Sequence, residues 1–133
     1  MRRIAEGMLA LGLAYDQILS SPYLRARQTA ELVAQVLKTP EGVQFSDALT
    51  PEGNPRQLIE ALHTGDHEQQ DILLVGHEPY LGRLISTLLT GGPNLPVVMK
   101  KGGLCALDVS TLRFGRCASL VSLLTPRQLR RLA

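Results

Sequence analysis

Tryptophan is missing from this chain, and only three tyrosines and two phenylalanines stand among its 133 residues. A surface that stacks nucleobases needs more aromatic side chains than that. Excess charge of either sign is also lacking: 14 Lys and Arg against 12 Asp and Glu give a net charge of +2. Its basic clusters, Arg2-Arg3 and the run holding Arg127, Arg130 and Arg131, are short and free of aromatics. The sequence therefore predicts no nucleic-acid partner. Cysteine is scarce. Cys105 and Cys117 are too few for a disulfide framework. They read as buried thiols on neighbouring strands joined near residues 113–115, with Cys105 opposite a residue near Leu120 and not opposite Cys117. That pattern suits a reducing compartment. No apolar run approaches the roughly 20 residues that span a bilayer. Met1-Arg2-Arg3 would suit the start of a signal peptide, but Glu6 interrupts the next stretch and its apolar residues fall at helical spacing. The expectation is a cytoplasmic protein that binds no membrane, with its oligomeric state left open.

What is present suffices for a core. Of the chain, 44% is hydrophobic and 20% charged, and one domain over residues 1–133 is expected. Residues 1–13 have helical periodicity, with Ile4, Met8 and Leu11 on one face and Leu9 and Leu13 beside them. No Ser, Thr, Asp or Asn precedes this helix, and two arginines crowd the positive end of its dipole. Residues 16–20 predict a buried strand. Ser21 reads as the N-cap of the next helix, with Pro22 at its first position and Leu24, Thr29, Leu32, Val33, Val36 and Leu37 on its core side. An edge strand is expected near 43–45, and a loop at 49–53. Asn54-Pro55 opens a helix through Leu58, Ile59 and Leu62, and 63–70 reads as a polar loop. The unbroken apolar run 71–76 predicts a central parallel strand buried on both faces. Pro79 starts a helix that Gly91-Gly92-Pro93 stops. Strands near 103–109 and 117–124 and a short basic helix capped by Thr125-Pro126 complete the chain. Alternating strands and helices predict an α/β fold, a three-layer α/β/α sandwich with a mostly parallel sheet and a terminal hairpin.

Two residues stand where a strand gives way to a helix, the place where open α/β sheets bind anions. Arg25 falls in the first turn of its helix, and its planar fork of N–H donors matches the oxygens of a phosphoryl group. The competing reading is an arginine that covers apolar helix surface. His77 follows the strand at 71–76, where its imidazole can donate to phosphate oxygens or act in acid–base chemistry. It reads equally as a histidine filling a turn. Arg27 points elsewhere around the helix and reads as solvated. Glu78 reads as an N-cap or dipole partner of the helix after it. Glu52, in a Pro-Glu-Gly loop, reads either as a solvated carboxylate or as a general acid reaching the site. His63 and His67 are four apart, but Thr64-Gly65-Asp66 breaks any helix between them, so no metal pair is predicted.

The segments Ser20-Ser21-Pro22-Tyr23-Leu24-Arg25-Ala26-Arg27-Gln28-Thr29-Ala30, Leu49-Thr50-Pro51-Glu52-Gly53 and Leu74-Val75-Gly76-His77-Glu78-Pro79 together resemble the histidine phosphatase superfamily, the phosphoglycerate-mutase-like proteins. They look most like its small bacterial branch, the SixA-type phosphohistidine phosphatases. The resemblance covers residues 1 to 110. It implies a phosphoglycerate-mutase-like fold and a hydrolase that passes the phosphoryl group through a phosphohistidine enzyme, without metal or cofactor. It places phosphoryl binding on Arg25 and His77, both as catalytic and as substrate-binding residues. It makes Glu52 dispensable as a general acid if the leaving group is an imidazole. The implied substrate is a phosphorylated protein such as a histidine phosphotransfer domain, or a small phosphorylated molecule. The family's nucleophile lies in an Arg-His-Gly or Arg-His-Ala motif at the end of a first strand. The 133 residues contain neither motif. The expectation is thus a domain whose first strand and nucleophile are missing from the sequence, and which as it stands does not turn over by the phosphoenzyme route. The alternative is a non-catalytic module of the same fold that binds phosphate or a phosphoprotein.

Overall fold

The computed structural model describes residues 1–64 and 70–133. Helix α1 (Arg2–Ala10) leads into β1 (Gln17–Ser20), α2 (Leu24–Leu37) and β2 (Val43–Phe45). A single 3-10 turn at Asp47–Leu49 precedes α3 (Pro55–Thr64), β3 (Ile72–Val75) and α4 (Tyr80–Thr90). The chain ends in β4 (Leu104–Val109), β5 (Ala118–Leu124) and α5 (Pro126–Leu132).

Local chemistry explains most of the boundaries. α1 begins without a side-chain cap, as its arginine-led start predicts. Asn54 Oδ1 accepts the Arg56 N–H at 2.9 Å and starts α3. Gly91 closes α4 with a φ of 92°, a left-handed conformation that glycine adopts without steric cost. Thr125 and Gln128 form a reciprocal capping box on α5. Two boundaries and two faces differ from expectation. α2 starts at Leu24 behind Tyr23, so Ser21 is not its cap and Pro22 lies outside it. Leu24 is 66% exposed, and Ala26 and Ala30 hold the core positions instead. On α1, Ile4, Ala5 and Met8 are buried while Leu9 and Leu11 are exposed, because the face that meets α5 is narrower than the apolar stripe. α3 runs on through His63 and Thr64, and His67 lies outside the described residues.

The elements stack in three layers. Alternate residues of β1 point to opposite sides of the sheet. Ile18 joins Ile4, Met8, Val33 and Leu129 in one core, so α1, α2 and α5 cover that face. Leu19 joins Leu49, Leu58, Tyr80 and Leu84 in the other, so α3 and α4 cover the opposite face. This is the predicted α/β/α sandwich.

The strands, however, form two sheets. The first is parallel, in the order β2-β1-β3, and the second is the β4-β5 hairpin. Between them opens a cleft of about 1940 Å³ that every residue of β3 and β4 lines. β3 is consequently not central. Among the described residues it pairs with β1 alone, and Leu73 is the one buried residue of its four. The strand enclosed on both sides is β1, buried at all four positions. In the hairpin, Cys105 faces Leu123, three residues beyond the expected partner, with an irregularity between Ala106 and Leu107. Both cysteines are free and half-buried.

Candidate active site

Strand register builds the site. β1 and β3 run parallel with Ser20 beside Val75, so the chain leaves both strands at the same sheet edge. The Ser21 N–H donates to the Val75 carbonyl at 2.9 Å and extends the pairing one residue further. The next residues on each side then meet: His77 Nε2 lies 2.9 Å from Ser21 Oγ. β2 ends at the same edge, with Phe45 beside Ser20 and the Ser46 N–H on the Ser20 carbonyl. The loop after it carries Glu52, whose Oε2 accepts the Tyr23 hydroxyl at 3.0 Å. Gly53 holds that loop close, because a Cβ there would lie 2.3 Å from the Ala48 carbonyl oxygen.

Arg25 is the second residue of α2. It is exposed, and among the described residues no carboxylate or carbonyl pairs with it. Arg25 and His77 both line the cleft. The lining they share also takes in residues of α1, α3, α4 and β4. His77 is half-buried and held from two sides: its carbonyl accepts the Leu81 N–H at 2.9 Å, and its ring packs against Tyr23 with centroids 5.6 Å apart. Arg27 is turned away, paired with Glu31 at 2.9 Å and set over the Phe45 ring. Glu78 Oε1 accepts the Gly82 N–H at 2.6 Å, which serves the start of α4. Glu52 is exposed, as a solvated loop carboxylate would be, but Tyr23 ties it to His77.

Electrostatics set the state of Tyr23. Its phenol is pushed above the ordinary value by the hydrogen bond to Glu52 and by that carboxylate's charge, so it stays a proton donor to Glu52. Among the described residues no group of three His, Cys, Asp or Glu could hold a metal ion. The donors present are a guanidinium, an imidazole and the first turn of a helix. They suit an anion with several oxygens.

Sequence reasoning missed Ser21 and Tyr23 as members of this site. Ser21 has the composition signal of a helix cap, and only the pairing of two strands 55 residues apart brings it to His77. Tyr23 carries no sequence signal that separates it from other residues before a helix.

No family model matches the chain. An uncharacterized protein of Picosynechococcus is 33% identical over 111 residues, which make up 83% of this chain and 67% of that protein. The phosphohistidine phosphatase SixA of Escherichia coli is 30% identical over 91 residues, 68% of this chain. The chain belongs to the SixA-type histidine phosphatase family. It spans 56% of the length of the Escherichia coli enzyme. A structure of the protein histidine phosphatase SixA complexed with tungstate superimposes with a TM-score of 0.77 and 24% identity, over 96% of this chain and 80% of that one. That likeness bears on the fold, which is phosphoglycerate-mutase-like.

Proposed function

We propose that this chain carries the phosphoryl-binding part of a phosphohistidine phosphatase site, with Arg25 and His77 as its donors. The observation that supports the reading is that Arg25 and His77, which follow the carboxyl ends of β1 and β3, both line the cleft, with Arg25 free of protein partners among the described residues. A transferring phosphoryl group spreads charge over three oxygens and asks of the protein chiefly fixed positive donors. The Arg25 fork takes two of those oxygens, and an N–H of His77 takes another. The substrate is a phosphorylated histidine on a phosphorelay protein, as the family relationship suggests. Its imidazole is a good leaving group, so the exposed Glu52 is not needed to protonate it.

The test has two parts. The chain itself should bind inorganic phosphate, and Arg25→Ala should weaken that binding at least about tenfold, the worth of one charge-assisted bidentate contact. In a chain that also carries an Arg-His-Gly or Arg-His-Ala segment, Arg25→Ala should lower phosphohistidine hydrolysis by about 100-fold or more. Wild-type phosphate affinity or turnover in the variant would remove Arg25 from the site.

A second reading rests on the absence of Arg-His-Gly and Arg-His-Ala from the 133 residues. In it, the chain recognises a phosphorylated partner without cleaving it. Tight binding of a phosphohistidine protein with no release of phosphate would favour this reading over the first.

A further inference from the structure

The feature of the site with no assigned purpose is Ser21. It is fully buried, at 0% exposure, and it does not line the cleft. Its hydroxyl nevertheless touches a residue that does, His77. A serine hydroxyl has one proton and two lone pairs. The Tyr23 N–H, 3.2 Å away, donates into one lone pair. The proton that remains is shut away from water and needs an acceptor. Among the described residues, the acceptor within reach is His77 Nε2 at 2.9 Å.

We propose that Ser21 is a positioning residue: its hydroxyl donates to His77 Nε2 and so fixes the imidazole as the neutral tautomer with its proton on Nδ1. Building on the phosphoryl-site reading above, this decides which nitrogen serves the ligand. Nε2 is occupied by Ser21, and Nδ1 has no partner among the described residues. A phosphoryl oxygen is an acceptor only, so it needs an N–H, and the Ser21 bond supplies one at Nδ1 without a protonated ring. The reverse arrangement, with Nε2–H donating to Ser21, would leave the serine proton buried without an acceptor. It would also present the cleft with an Nδ1 lone pair that repels phosphoryl oxygens. The Tyr23 ring against His77 keeps the imidazole from turning over.

The experiment is a long-range proton–nitrogen correlation spectrum of the 15N-labelled 133-residue protein at alkaline pH, with the His77 signals identified by their loss in His77→Gln. The wild type should show the Nδ1–H tautomer at His77. Ser21→Ala should shift His77 towards Nε2–H, the form that predominates for imidazole free in water. Ser21→Thr, which keeps the hydroxyl, should restore Nδ1–H. Inorganic phosphate, titrated into the same samples, should bind about tenfold more weakly to Ser21→Ala, with circular dichroism unchanged. An Nε2–H tautomer in the wild type would overturn the proposal, and that result needs no variant to fold. An unaltered tautomer in folded Ser21→Ala would overturn it too. A wild-type protein with the Nδ1–H tautomer that Ser21→Ala abolishes, but with no phosphate binding, would support the positioning role while sinking the phosphoryl-site reading on which its purpose rests.

Discussion

Tyr80, the first residue of α4, lies in the core with Leu19 and Leu58, 5% exposed, and among the described residues its hydroxyl has no hydrogen-bond partner. Burial pushes its phenol up to about 12 from 10.0. An unmet buried donor costs about 1–3 kcal/mol, so Tyr80→Phe, which removes the hydroxyl and keeps the ring, should raise stability by roughly 1 kcal/mol in a urea titration. The pH dependence gives a second check. The unfolded phenol ionises before the folded one, so the stabilising preference for the neutral form is complete below pH 10 and is lost as pH rises towards about 12. Wild-type stability should fall across that window more steeply than that of Tyr80→Phe; parallel curves would show that Tyr80 is not the group concerned. At the same scale, sequence alone exposes some residues and hides others. Arg25 and His77 are legible because a charged or titratable side chain beside an apolar run and a helix start has a recognisable local signature. Ser21 and Tyr23 are not, since their neighbours are fixed by strand register and not by anything within a few residues.

At the scale of elements, α1 and α5 pack closely. Gly7 sits where a Cβ would lie 1.9 Å from the Leu129 carbonyl oxygen, which is backbone and cannot swing aside. Alanine in place of a mid-helix glycine ordinarily gains about 1 kcal/mol from propensity. Overpacking against backbone costs about 1–3 kcal/mol or more and should prevail here. Gly7→Ala should therefore lower the melting temperature, and an increase would mean that α5 moves away freely. Helix ends were readable wherever a cap was chemical: Asn54, Gly91 and the Thr125 capping box are all where the residue types place them. The start of α2 was not, because Ser21 looks like a cap and is spent on His77. Leu24 misled for a related reason. Helical periodicity identifies an apolar stripe but not how much of it a neighbour covers.

For the molecule as a whole, the division into two sheets was not visible in the sequence. The run at 72–75 is apolar throughout, which is the pattern of a strand enclosed on both sides, yet among the described residues β3 has one ladder partner and borders the cleft. An apolar run records a strand's preference for burial and does not count its neighbours. Hydrogen exchange reads the difference directly. Amides of β1, paired on both edges, should exchange slowest. The amides of β3 and β4 that point into the cleft should exchange at least about tenfold faster than those in the β1 ladders, and uniform protection across β1, β3 and β4 would contradict the split.

That division also bears on how the protein comes apart. Backbone ladders couple strands strongly, and none crosses from β3 to β4. Apart from the Cys117 N–H on the Leu88 carbonyl at 2.9 Å, the hairpin is tied to the rest chiefly through side chains, with Leu104 and Leu124 against one core and Leu107 and Ala118 against the other. Cohesion of that kind yields piecemeal, so the carboxyl-terminal hairpin can detach while the three parallel strands hold. Denaturation followed by a probe on the hairpin and by one on α2 should then trace separate curves, and a single midpoint quoted for the molecule would average two events.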